Sequence, residues 1–295
     1  MIRYIACPGC GSGSLRFVLN AKDHTVSRSV FEIWECNQCS LRFTQDAPDS
    51  QMMHAYYRSE DYISHSDTGK GWVNRLYHQV RKKTLRAKYR IVSNTTGKNQ
   101  GKLLDLGAGT GSFVSYMQEK GWQVTGLEPD EGARRKAGLI HQTELFPVDY
   151  LGTLEEGSFD AITLWHVLEH VHALHQDIEK LKKILREAGR IIIAVPNYTS
   201  YDASFYNSNW AAYDVPRHLY HFSPLSMKQL LLQHDLKLQS IRPMWYDSFY
   251  ISLLSEQYKK GKTNVVGGVF RGAVSNCKAL LKTERCSSLI YIAGK

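Results

Sequence analysis

Three glycines spaced two apart follow an apolar run in "LLDLGAGTGSF", Leu103 to Phe113, and this spacing limits what the chain can build there. Glycine admits left-handed backbone and lets a ligand approach the main chain closely. The loop follows a strand-like run and opens a helix-like one. A phosphate-binding loop would need a Lys after the last glycine, and none follows; the dinucleotide fingerprint would want its third glycine at position 112, which is Ser112. From Asp105 to Met117 no cationic side chain is present to balance a phosphate. Glu128 ends the next apolar run, where an acid can accept hydrogen bonds from both hydroxyls of a ribose. Asp105 sits where it could hold a cationic amino group. The pattern therefore favours a nucleoside whose remainder carries no phosphate.

Around the loop, short apolar runs alternate with amphipathic stretches. Strands are expected at "KLLDLG", "QVTGLEP", "FDAITLW" and "RIIIAVP", a weaker one near "TELFPV", and two more at "LKLQSIRPMW" and "SSLIYIAGK". Helices are expected at Ser112–Lys120, Asp130–Ala137 and Val167–Glu187, the last from its apolar face of Val167, Val171, Leu174, Ile178, Leu181 and Leu185. Ser223 reads as an N-cap with Pro224 at the first helical position, and 247–260 and 268–282 read as helical. Such alternation implies an α/β fold, a doubly wound and mostly parallel seven-stranded sheet with ligands beyond the carboxyl ends of its strands.

Ahead of this region the composition differs. Residues 1–45 are short, turn-rich and cysteine-paired, and 46–98 read as a helical connector rich in Tyr and basic residues, leaving 99–295 for the α/β domain. The net charge of +9 is concentrated in the N-terminal third and the last fifty residues. Arg75, Arg81, Lys82, Lys83, Arg86, Lys88 and Arg90 crowd one expected helix, readable either as a solvated face or as a surface for an anionic substrate or RNA. The composition, 43% hydrophobic and 22% charged, is that of a globular protein rather than a disordered or fibrous one. With neither a membrane-length apolar run nor a signal-like start, a cytoplasmic protein without a membrane partner is expected.

The ordered set of motifs resembles the class I S-adenosylmethionine-dependent methyltransferases. Beyond the glycine loop, "EEGSFDAITLWHVLEHV" is similar to that family's fourth-strand region and "GRIIIAVPN" to its fifth strand, over roughly Lys102 to Lys295. The resemblance implies a Rossmann-like sheet and S-adenosylmethionine as cofactor. It places Gly107, Gly109 and Gly111 along the methionine part, Glu128 on the ribose, Asp149 at the adenine edge, and Trp165 and His166 near the sulfonium.

"HVLEH", 166–170, also satisfies the H-x-x-E-H pattern of a zinc peptidase, but His166 ends an apolar strand instead of lying within a helix. After the fifth strand, "NYTSYDASFYNSNWAAYDVPRHLYHFSP" gathers aromatic and titratable side chains where an acceptor would sit. Trp210, Tyr213, Asp214 and Arg217 are the candidate substrate-binding residues. His166, His218 and His221 are the candidates for orienting or deprotonating a hydroxyl. The alternatives are an Asp214–Arg217 structural pair and aromatics that simply pack.

Four of six cysteines form two C-x2-C pairs, Cys7 with Cys10 and Cys36 with Cys39, with turn residues in both knuckles. This is close to the spacing of a four-cysteine structural zinc site in a ribbon-like module. A small-molecule acceptor, such as a saccharide or another metabolite, is the favoured substrate. An RNA or protein substrate docked through the ribbon and basic helix is the first alternative, and a non-catalytic nucleoside-binding module the second.

Overall fold

A computed structural model describes residues 1–57 and 72–295, with the backbone alone for 72–80. The strands are β1 (Leu15–Lys22), β2 (Val30–Cys36), β3 (Arg42–Thr44), β4 (Lys102–Leu106), β5 (Gln123–Leu127), β6 (Phe159–Trp165), β7 (Leu185–Pro196), β8 (Tyr220–His221), β9 (Lys237–Pro243) and β10 (Ser288–Gly294). The chain divides into two compact units. The first comprises Met1–Ile63, His166–His175 and Ala194–Tyr291; the second comprises Ser64–Trp165, Gln176–Ile193 and Ile292–Lys295.

The first unit holds a four-stranded sheet of order β1-β2-β3-β8. In β2 the alternating Phe31 and Ile33 point inward, as expected of a strand with one covered face. The cysteine-paired module does not close on itself. Its last strand pairs antiparallel with β8, Arg42 opposite His221 and Phe43 opposite Tyr220. Ser40 Oγ and Ser223 Oγ lie 2.8 Å apart, and Tyr198 donates to Ser40 O at 2.6 Å.

The larger sheet has six strands in the order β5-β4-β6-β7-β10-β9, with β4 parallel to both β5 and β6. "FDAITLW" is buried along its whole length, which is why it reads as an unbroken apolar run rather than an alternating one. The sheet thus carries six named strands where seven were expected. "TELFPV" contributes a single parallel bridge, Phe146 to Leu127, because Pro147 ends the pairing and a 3-10 turn, Val148–Thr153, begins.

The expected helix over Val167–Glu187 is a second correction. His166 adopts a left-handed backbone, φ 59°, and Leu168–His170 make only a 3-10 turn. The helix proper runs Leu174–Ile184, and Leu185 already belongs to β7. Leu174, Ile178 and Leu181 are buried as the periodicity required. The helix Pro224–Gln233 starts as expected: Ser223 Oγ accepts from Ser226 N at 3.0 Å, and Ser226 Oγ accepts from Ser223 N at 2.8 Å. The last two helices are Asp247–Lys260 and Val265–Leu281. The basic stretch forms one helix, Trp72–Thr96, with Arg75 outside the described side chains. Among the described residues no helix is long and apolar enough to cross a membrane.

Candidate functional site

In the second unit, the glycine loop is tied to the carboxyl end of β5: Gly107 N and Ala108 N both donate to Leu127 O, at 2.8 and 2.9 Å. Gly109 and Gly111 have φ of 55° and 78°, left-handed values that a side chain would strain. Among the described residues a Cβ at Gly109 would meet nothing within 4 Å, which leaves space at that point of the loop; at Gly111 it would come within 2.9 Å of Ala137 Cβ. One glycine thus leaves room for a ligand, and the other lets the helix Glu131–His141 approach.

Two carboxylates flank this opening. Glu128 accepts from Gly109 N at 2.8 Å and from Asp130 N at 3.0 Å. Burial raises its pKa, partly offset by those two N–H groups. Asp105 is 2% exposed and accepts from Thr163 Oγ1 at 2.6 Å. Burial pushes it up to about 6, against the pull of Thr163 and Lys88. A buried acid of this kind gains from a cationic neighbour, and two acids would repel a pyrophosphate.

Trp165 ends β6 and meets Phe113 edge-on at 5.7 Å between centroids. Its Nε1 is buried without a hydrogen-bond partner among the described residues. Lys88 Nζ stands 4.5 Å from the Trp165 ring centroid, and Arg81 donates to Ser112 Oγ. Sequence reasoning missed these cations because it searched the loop alone, whereas they come from the helix Trp72–Thr96. Asp149 lies exposed on the 3-10 turn after Pro147, next to the stacked rings of Phe146 and Tyr150, 4.4 Å apart.

The first unit gathers a different set. His166, in its left-handed conformation, places Nε2 2.8 Å from Asp247 Oδ2 and Nδ1 3.3 Å from Glu169 Oε1. Burial works against its charged form, but the two carboxylates outweigh burial and hold the ring at about 10. Each nitrogen of the charged ring thus faces a carboxylate. His170 Nδ1 lies 3.1 Å from Arg217 O and 3.0 Å from Tyr57 Oη, and His218 Nδ1 lies 2.9 Å from Ala212 O. Asp214 and Arg217 form a two-point ion pair, with Arg217 also donating to Tyr56 O at 3.1 Å. His221 is buried, its Nε2 3.1 Å from Thr44 Oγ1, and burial sets its pKa well below the ordinary value.

Trp210 and Tyr213 belong to the core of this unit. Trp210 Nε1 donates to Asp202 at 2.8 Å, and Tyr213 Oη accepts from Arg42 at 2.9 Å. With Asp214, His24 and Tyr258 they line a recess of only about 10 Å³, room for a single water. Glu169, His170 and Asp247 were not singled out as site residues. "HVLEH" gave a signal for the first two, whereas Asp247 is brought to His166 only by the fold.

The four paired cysteines come together in the same unit, every Sγ within 4.8 Å of the others. Cys7 and Cys39 are 3.5 Å apart, as are Cys10 and Cys36, and all four are free thiols. Gly9 N points at Cys7 Sγ from 3.4 Å. Four thiols so close, with a backbone N–H aimed at sulfur, fit a tetrahedral Zn²⁺ far better than four separate thiols.

The family profile described as "Methyltransferase domain" matches residues 73–241. An uncharacterized methyltransferase of Alkaliphilus oremlandii is 31% identical over 33% of this chain and 46% of its own length. A ubiquinone biosynthesis O-methyltransferase of Xanthomonas oryzae pv. oryzae is 26% identical over 50% of this chain and 66% of its own. The chain thus spans between about half and two thirds of these relatives. Among solved structures, a geranyl diphosphate methyltransferase in complex with SAM superposes with a TM-score of 0.53 at 15% identity, covering 79% of this chain and 94% of that one, which shows a shared fold.

Proposed function

The chain belongs to the class I S-adenosylmethionine-dependent methyltransferases, and from that premise we propose that it transfers a methyl group from S-adenosylmethionine to a small-molecule acceptor. The carrying observation is the pair of buried acids, Asp105 and Glu128, beside a glycine loop that no described residue fills. When bound, the cofactor supplies an electrophilic methyl group on a sulfonium. Glu128 exchanges its bond from Gly109 N–H for the ribose hydroxyls. Asp105 holds the cationic amino group, and Gly107, Gly109 and Gly111 line the methionine part. Asp149, with Phe146 and Tyr150, takes the adenine edge, and Trp165 walls the methyl end.

Arg81 and Lys88, two of the basic cluster, are engaged with Ser112 and Trp165, which favours a small acceptor over an RNA held by that helix. His166, its two N–H groups facing Asp247 and Glu169, orients the acceptor by its charge rather than by a hydrogen bond of its own. Positioning carries much of the rate, since the sulfonium is already a good leaving group. Trp210, Tyr213, Asp214, Arg217 and His221 hold the first unit together by packing and pairing. The four-cysteine cluster binds structural zinc in an N-terminal module of residues 1–45, followed by the connector 46–98 and the catalytic domain 99–295. Relatives that methylate oxygen in ubiquinone biosynthesis make a hydroxyl compound the first acceptor class to assay.

Calorimetric titration with S-adenosylhomocysteine, with NAD as control, tests the cofactor assignment. Micromolar binding of the first alone is expected. Glu128→Ala should weaken it by about tenfold or more, the worth of hydrogen bonds to a charged group. Unchanged affinity in that variant would remove Glu128 from the ribose, and binding of NAD alone would overturn the whole reading.

A further inference from the structure

A second cluster of metal-ligand type lies outside the cofactor cradle and the four cysteines. One donor atom from each of Glu169, His170 and His218 falls within 4.8 Å of the others. The main chain builds this juxtaposition: Leu219 N donates to Glu169 O at 2.8 Å, which ties the segment carrying His218 to the turn carrying Glu169 and His170.

Both rings are oriented as ligands are. His218 Nδ1 faces Ala212 O, and His170 Nδ1 faces Arg217 O with Tyr57 Oη beside it; a hydrogen on Nδ1 of each ring satisfies these acceptors. A ring that donates from Nδ1 to a carbonyl keeps its lone pair on Nε2, the usual support for a metal-bound imidazole. Glu169 is fully buried; Oε1 faces His166, and Oε2 has no hydrogen-bond partner among the described residues. A buried carboxylate oxygen left without a partner is costly and calls for an occupant.

We propose that Glu169, His170 and His218 form a divalent-cation site, with Zn²⁺ the ion that two imidazoles and one carboxylate favour. The "HVLEH" motif thereby contributes its Glu and its second His. His166 is diverted to Asp247, and His218 takes its place. Ligand atoms around tetrahedral Zn²⁺ sit about 3.3 Å apart, so modest side-chain rotation closes the set. Three protein ligands leave a fourth position for water or an acceptor oxygen. Asp214 Oδ2, 3.8 Å from His218 Nε2, adds negative charge nearby, with Arg217 offsetting part of it.

The test reads metal and not turnover, so it stands apart from the fate of the methyl-transfer reading. Full-length protein is loaded with Co²⁺, freed of loose ions by gel filtration, and analysed for metal content and visible absorption. Two equivalents are expected, one showing thiolate charge-transfer bands and one showing d–d bands alone. Glu169→Gln and His218→Gln should each retain only the thiolate-type equivalent. In the wild type, proton NMR should show two exchangeable, strongly shifted imidazole N–H resonances, from Nδ1 of His170 and of His218. That measurement decides the matter even if a variant fails to fold. A single thiolate-type equivalent, a second equivalent that survives both substitutions, or the absence of shifted imidazole protons overturns the site.

Discussion

Replacing Asp105 with Asn should stabilise the ligand-free protein while impairing it as a cofactor binder. The carboxyl is 2% exposed and raised by burial from 3.8 to about 6. A raised acid favours the protonated native form. That stability is fully present below the unfolded pKa and is lost as pH rises through the folded one. The gap between the two values corresponds to a total of about 3 kcal/mol. Linkage puts roughly half of that loss at pH 5 and nearly all of it at pH 8. Asn is neutral throughout and can still accept from Thr163 Oγ1, so the variant avoids the loss. Urea unfolding of both proteins at pH 5 and pH 8 should show the variant's advantage growing by about 1–2 kcal/mol between them. An advantage that is flat or shrinks with pH would refute the account of Asp105 as a buried acid strained by its own charge. In the same pH range, wild-type affinity for S-adenosylmethionine should fall as the solution is acidified below about 6, a dependence absent from the variant.

Changing Cys36 and Cys39 together to Ser should lower the zinc content by about one equivalent, the capacity of one tetrahedral thiolate site; a content unchanged from the wild type by elemental analysis would refute the four-cysteine site. Trp210→Phe should cost about 1–3 kcal/mol in urea unfolding, because it leaves the buried Asp202 oxygen without its indole donor. A cost near zero would mean that Ser275 and Ser287, which donate to the other oxygen, satisfy Asp202 on their own.

The parts legible in the sequence were those that local pattern determines. β4, β5 and β6 were marked by apolar runs, the turn after β4 by its glycine spacing, and the helix Pro224–Gln233 by its cap. The cysteine cluster was marked by its knuckles. The stretch 167–187 misled because apolar residues at helical spacing continued from a turn, through a real helix, into a strand. Spacing alone cannot show that His166 has left-handed backbone or that Leu185 has begun β7. The charge on His166 was illegible for a different reason: its main partner, Asp247, is 81 residues away and meets it only in the folded chain. Trp210 and Tyr213 were singled out as aromatics in a loop, and only the fold supplies Asp202 and Arg42 as partners for their polar atoms.

The pairing of β3 with β8 also bears on the order of events during synthesis. Arg42 leaves the ribosome about 180 residues before His221, its partner across the sheet. At about 5–20 residues per second, the cysteine module waits roughly ten to forty seconds with its β3 edge open. A metal-clamped hairpin can outlast that interval where a bare one of its size would fray. Cysteine coordination would then act as a timing device, holding a template ready until the last strand of the small sheet arrives.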